Sequence, residues 1–399
     1  MKMYETMKTL MFLAVTSLTA ACSWTQFDNL ADSTAVRATE RPDGVRATEY
    51  GVSIAGATLP DEMSGGKIAL LSSGTGNYST LALDPGGIEQ TLGDNEALGT
   101  HSLDSVTGKG VVLFDHVGQV VVVDNSNVGT IVAISGSPDA LSNPDQQVPS
   151  AALPDATSFV NGQLVVGVTV TQPMTANVFS VKGTAVTSCL LNDGTTTVAP
   201  AAVAIDGATL WLYTKAGDFY GYSLAALDAC TTAVPISPKT AKLVGPVAAN
   251  GGHLDIVSDG ASKYAILTSF DTALTSTGAV QLVNITAPAT PVSSGTIISA
   301  PGVKAAAYDS FDGVGVLVLG YPTRASGSTA GAGAVDLHAF TSGALSTTAS
   351  DTLSIPNSDS NHLFGRAVTT TRYNGKPIVV VAADNVVYSF YQTTLYAKR

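Results

Sequence analysis

The side chains in this chain that could ligate a metal, shuttle a proton or attack a carbonyl are few and scattered. Five histidines, His101, His116, His253, His338 and His362, are spread over 399 residues, and no two stand at i, i+2 or i, i+4. Those spacings would put two imidazoles on one face of a strand or a helix, where they could share a metal. Asp115 directly precedes His116, but neighbouring residues of a strand point to opposite faces, so the pair reads as polar residues at a strand end. No Gly-x-Ser-x-Gly elbow, phosphate loop or Cys-x-x-Cys occurs. The expectation is a protein that is not an enzyme and holds neither metal nor cofactor. Catalysis by residues gathered from several loops would leave no such local trace, so a polysaccharide-active enzyme stays as a third reading.

Three cysteines carry more information. Residues 7–22 run from Met7 and Lys8 through an apolar stretch, Leu10 to Leu18, to Thr19, Ala20, Ala21 and Cys22. The apolar stretch is too short for a bilayer core of about 30 Å, and the small residues suit a peptidase cleft. The segment resembles the lipobox of bacterial lipoproteins. That resemblance implies a signal peptide over residues 1–21 and acylation of Cys22, with palmitate-like chains holding the protein to a membrane. Thr19 departs from the family's preferred Leu, and Leu18 lies one position early. Ser23 after the cysteine, in place of Asp, implies passage to the outer membrane. Cys189 and Cys230 remain. In an oxidising compartment they form either a disulfide closing a loop of about 40 residues or two separate buried thiols. Both fall on outer strands of neighbouring repeats, which makes the distance the open question.

The elements that must position any site follow from periodicity. Only 13% of residues are charged while 45% are hydrophobic, so the chain supplies a large core and is not disordered. The net charge of −12 with 19 Lys+Arg offers no basic footprint, and the closest cations, Lys239 and Lys242, do not form one, which argues against nucleic acid. Residues 22–50 are polar and irregular, with a duplication at Val36–Glu40 and Val45–Glu49 around Asp43-Gly44. This segment reads as a solvated tether, with a small hairpin as the alternative. Residues 51–399 show no sustained helical period. Short Val/Leu/Ile/Tyr runs alternate with Gly, Asp and Asn turns, the pattern of a sandwich, barrel or propeller.

One unit recurs seven times. Its tight turn falls at Gly65-Gly66, Thr107-Gly108, Asn161-Gly162, Asp206-Gly207, Asp259-Gly260, Asp312-Gly313 and Asn374-Gly375. A strand follows each turn, for example Leu210–Tyr213 or Ile378–Val381, and a third strand follows that, for example Phe219–Leu224 or Val386–Tyr391. Four-stranded blades need about 40–50 residues each, more with loops, so seven units fill the chain from Tyr50 onward. The fold expected is all-β, a seven-bladed β-propeller behind a lipoprotein signal peptide and tether. Two β-sandwich domains are the competing arrangement.

The last two units carry a family resemblance. Phe364-Gly365, Gly320-Tyr321-Pro322 and Gly331-Ala332-Gly333-Ala334-Val335 resemble the motifs of FG-GAP repeats, the propeller repeats of integrin α-subunit heads. The match is strongest over residues 300–392. Such repeats often carry a calcium loop between their first two strands. Here Asp309 and Asp312 alone precede Gly313, too few carboxylates for calcium, so a plain turn is expected. Gly118 to Ala133 also looks like a quinoprotein-type propeller repeat, as found in the lipoprotein scaffold of the outer-membrane barrel assembly machinery.

In a propeller, connections between second and third strands and between blades emerge on one face, and long loops on a rigid scaffold usually carry function. Candidate contact residues there are Asp145, Lys239, Lys242, Phe270, Tyr321, Arg324 and His362. The functional expectation is an outer-membrane lipoprotein at the cell surface, a binding module for a protein or glycan in adhesion or a surface assembly. The alternative is a periplasm-facing scaffold of an envelope machine.

Overall fold

The computed structural model describes residues 35–40, 53–57, 67–71, 77–82, 90–97, 111–114, 120–126, 130–135, 146–149, 154–160, 163–171, 174–182, 185–193, 198–230, 235–271, 278–311, 314–325, 329–355, 362–373, 376–383 and 386–391. Cys22 and Asp145 lie outside the described residues.

The described strands form seven antiparallel sheets. After β1 (Ala35–Glu40), the first sheet holds β2 (Ser53–Ala57), β3 (Lys67–Leu71), β4 (Asn77–Ala82) and β5 (Gln90–Ala97). The second holds β6 (Val111–Phe114), β7 (Val120–Ser126), β8 (Thr130–Ser135) and β9 (Gln146–Pro149). The third holds β10 (Pro154–Val160), β11 (Gln163–Thr171), β12 (Met174–Lys182) and β13 (Ala185–Leu190). The fourth holds β14 (Pro200–Asp206), β15 (Thr209–Thr214), β16 (Asp218–Ser223) and β17 (Leu243–Val244), with the short helix α1 (Leu224–Asp228) before its last strand. The fifth holds β18 (Gly252–Asp259), β19 (Ser262–Ser269), β20 (Ala279–Asn284) and β21 (Val292–Ser299). In the sixth, β22 (Ala305–Phe311), β23 (Val314–Tyr321) and β24 (Ala334–Thr341) are joined by β25 (Ala344–Leu345) and β26 (Asp351–Leu353), which both pair with β24. The seventh holds β27 (Ala367–Tyr373), β28 (Lys376–Ala382) and β29 (Val386–Tyr391), with β1 as its fourth strand.

Apart from β26, which returns to the edge of β24, the described strands of each sheet pair in chain order, and the one pairing between the two ends of the chain closes the molecule. Ala35–Glu40, inside the segment read as a tether, runs antiparallel to β29 with Ala35 opposite Tyr391 and Glu40 opposite Val386. The first strands also touch in cyclic order, from β2 through β6, β10, β14, β18, β22 and β27 back to β2. Strands that converge on a common axis leave little room between them. The alanines of β14 (Ala201, Ala202, Ala204) and β22 (Ala305, Ala306, Ala307) fit that space.

The second strands are covered on both faces. β15 and β23 are buried along almost their whole lengths, and their alternate residues serve two different cores. Leu210 and Leu212 join Val165, Val178 and Cys189 between the third and fourth sheets. Trp211 and Tyr213 join Leu254, Ala265 and Leu267 between the fourth and fifth. Leu317 and Leu319 pack with Ile266, Val280 and Leu282 between the fifth and sixth. Val316 and Val318 pack with Val379, Val381 and Phe390 between the sixth and seventh. Burial on both faces explains why these strands are apolar without alternation.

Five sheets join their first two strands through two residues, at 161–162, 207–208, 260–261, 312–313 and 374–375. The glycine pattern marks these connections, and the two that are described, 207–208 and 260–261, are turns, with Gly207 and Gly260 at positive φ; the glycine pairs at 161–162, 312–313 and 374–375 lie outside the described residues. The second sheet differs. There the strand after Thr107-Gly108, Val111–Phe114, is the first strand, because β8 and β9 supply two more strands after β7.

Candidate functional site

The three glycine-bearing segments that stand out in the sequence meet at the junction of the sixth and seventh sheets. Gly333 forms an isolated parallel bridge with Phe364, whose N–H donates to the Ala332 carbonyl at 3.1 Å. Gly333 sits at φ +87° and Gly365 at φ +92°. A Cβ on Gly333 would run into the Phe364 backbone, and one on Gly320 would run into the Gly365 carbonyl. The Phe364 ring lies edge-on to Tyr388 and Phe390, with centroids 5.6 and 5.8 Å away. Glycine here allows the backbones of two sheets to touch, and the aromatic ring seals the contact.

Beside this contact the chain holds an arginine in place. Tyr321 ends β23 with 2% of its surface exposed. The Arg324 guanidinium carbon lies 3.5 Å from the centre of its ring. Arg324 Nη1 donates to Asp336 Oδ2 at 2.7 Å, and Thr352 Oγ1 donates to Asp336 Oδ1 at 2.8 Å. The loop is pinned as well: the Gly333 N–H donates to the Arg324 carbonyl at 2.9 Å. The result is a half-exposed guanidinium fixed by a ring and a carboxylate at the edge where the long connections emerge, a geometry suited to meeting a carboxylate, phosphate or aromatic group.

Burial, with the Asp336 charge adding to it, pushes the Tyr321 phenol up to about 12. Burial likewise raises Tyr213 and Tyr222. An unfolded phenol titrates near 10. The folded state therefore favours the neutral form, and this contribution to stability is complete below pH of about 10 and is lost as pH rises toward 12. Alkaline unfolding should steepen over that window, and Tyr321→Phe should flatten it. Denaturation midpoints measured between pH 8 and 12 check this; identical pH profiles for the two proteins would refute it.

The other expected contact residues are dispersed. Phe270, just past β19, is half-buried on the core between the fifth and sixth sheets, its N–H donating to the Gly251 carbonyl at 3.0 Å. His362 shares a 2.9 Å hydrogen bond with the Tyr388 hydroxyl through Nε2, close to Phe364. Lys239 and Lys242 do not lie in a sheet-to-sheet loop. They precede β17, which pairs with Asp218 and Phe219, so they run along the outer edge of β16. The Lys239 N–H donates to the Gly221 carbonyl at 2.8 Å, and Lys242 Nζ reaches Asp218 Oδ2 at 2.7 Å.

Cys189 and Cys230 are joined by a disulfide with Cα atoms 5.9 Å apart. Helix α1 makes this reach possible. Ser223 caps it, accepting from the Ala226 N–H at 3.3 Å, and the helix carries the chain of the fourth sheet back over β13 of the third. Asp228 Oδ1 then accepts from Gln163 Nε2 at 2.8 Å and from Ser180 Oγ at 3.2 Å.

Two buried polar residues beside the site were not among the expected contact residues. Asp336 and His338 stand two apart on β24 and share one face of the sixth sheet. His338 Nδ1 lies 3.0 Å from the Ser346 carbonyl, and burial holds its ring below the usual imidazole range. The i, i+2 spacing of Asp and His within an apolar strand was the available signal.

Among the described residues no helix is long and apolar enough to cross a membrane. No protein-family model matches the chain, and no curated protein does. A WD40-type propeller chain in the crystal structure of the mitotic checkpoint complex is similar in fold, with a TM-score of 0.54 at 10% identity over 91% of this chain and 95% of that one. The fold is a β-propeller.

Proposed function

We propose that this chain is a lipid-anchored, seven-bladed propeller of the bacterial outer membrane, related to FG-GAP repeat proteins, that acts without catalysis as a binding module for a protein or glycan. The observation that carries this reading is the contrast between the two edges of the ring. One edge has five connections of only two residues between first and second strands. The opposite edge has long connections, 322–333 and 354–366 among them, and it presents Arg324 already fixed over Tyr321. A rigid ring with long loops on one edge favours recognition, because the scaffold bears the ordering cost before a partner arrives.

The seven sheets and the cyclic contacts of their first strands support the blade count. The convergence of Gly320, Gly333, Phe364 and Gly365 supports the FG-GAP relation. The lipobox-like segment ending at Cys22 supports the anchor, since several acyl chains hold a protein durably to a bilayer. Fractionation with acyl labelling tests the anchor. The chain should partition with outer membranes and take up labelled palmitate, and Cys22→Ala should be unlabelled and soluble. A Cys22→Ala variant that stays with the membrane would contradict the reading.

A further inference from the structure

His253 and Asp255 stand two apart on β18 and so share a face. Thr268 lies directly opposite His253 on β19, and cross-strand partners share a face too. Val257 and Ile266, on that same face, belong to the core between the fifth and sixth sheets. The trio therefore faces the sixth sheet, on the two strands of the fifth that lie nearest the ring's axis. Across from it, β22 contributes the small side chain of Ala306 to the same core.

Three polar atoms in this group are buried and make no hydrogen bond: His253 Nε2, Asp255 Oδ2 and Thr268 Oγ1. Buried polar atoms are nearly always satisfied, because an unpaired one loses its hydration with nothing in return. Three on one face call for a common partner. The His–Asp geometry indicates its kind. Nε2 and Oδ1 are 3.1 Å apart, an ion pair whenever the imidazole is protonated, but the ring N–H is not aligned on the carboxylate. Two groups that close without pointing at each other are placed like neighbouring ligands of one ion. A cation with bonds of about 2.1 Å sets adjacent donors about 3.0–3.4 Å apart.

We propose that His253, Asp255 and Thr268 form a binding site for one divalent transition-metal cation of the zinc class. Imidazole selects such ions over calcium and magnesium, and a carboxylate with a hydroxyl completes a mixed nitrogen–oxygen set. Among the described residues no three His, Cys, Asp or Glu side chains converge on one point. The site therefore has two strong donors and leaves coordination positions for water or for a group on a partner, so it binds more weakly than a closed structural site.

Calorimetric titration of the EDTA-stripped full chain with zinc chloride tests this, with the cobalt(II) absorption spectrum reporting coordination. The expected result is one zinc ion per chain, with affinity falling about tenfold or more in His253→Ala and in Asp255→Asn and several-fold in Thr268→Val. Calcium chloride should not compete. Near-UV circular dichroism identifies any variant that fails to fold, and the other two then decide. Absence of saturable zinc binding by the native chain would overturn the proposal, as would unchanged binding in folded His253→Ala and Asp255→Asn. These readouts do not depend on lipid anchoring or on surface display, so the two readings fail separately.

Discussion

Gly333→Ala should lower the unfolding free energy by about 3–4 kcal/mol, a large loss for a single methyl group. Two penalties combine. The residue sits at φ +87°, where an L side chain costs about 1–2 kcal/mol. The new Cβ would also collide with the backbone of Phe364, and backbone cannot swing aside. Relief requires opening the Gly333–Phe364 bridge and lifting Phe364 out of the core it shares with Val318, Val335 and Phe390. Gly207→Ala is the matched control. It has a positive φ of +56° but nothing within 4 Å of the added Cβ, so it should cost only about 1 kcal/mol. Urea midpoints of the two variants separate collision from conformational strain. Equal losses would mean that the junction of the sixth and seventh sheets is not closely packed there.

Removing the disulfide should cost about as much. A bond across 41 residues restricts the unfolded chain by about 4 kcal/mol on the entropy argument. The paired variant Cys189→Ala, Cys230→Ala should lose most of that, and thiol reduction of the native protein should match it. The loss should be partial rather than a collapse, because α1 keeps other holds on the third sheet: Asp228 with Gln163 and Ser180, and the parallel bridge between Leu191 and Ile236. Asp228→Ala made in the reduced protein should therefore destabilise more than the same change in the oxidised one. Strictly additive losses would show that bond and clasp act independently.

Local signals were legible in the sequence, and long-range ones were not. Asp206-Gly207 and Asp259-Gly260 mark turns because a tight reversal needs positive φ, which is a property of two residues. The apolar runs of β15 and β23 are readable because both faces are buried. The pairing of Ala35–Glu40 with β29 was hidden, since its partner lies some 350 residues away and nothing in Ala-Val-Arg-Ala-Thr-Glu names it. The position of Lys239 and Lys242 was misread for a related reason. β17 is two residues long, too short for any period to register, so the connection preceding it looked like one long loop. The distance between Cys189 and Cys230 stayed open in the sequence because the detour through α1 could not be foreseen. At the site, the Phe364-Gly365, Gly320-Tyr321-Pro322 and Gly331–Val335 segments were visible as motifs. Asp336 was not, since one carboxylate in an apolar strand acquires meaning only when Arg324 and Thr352 are placed beside it.

Protease shaving of intact cells, with a permeabilised control, tests the central claim most directly. A lipid-anchored binding module displayed at the surface should disappear from intact cells, with cleavage in the long connections such as 322–333 rather than in the two-residue connections. Protection until the outer membrane is permeabilised would contradict surface display and would favour a scaffold facing the periplasm.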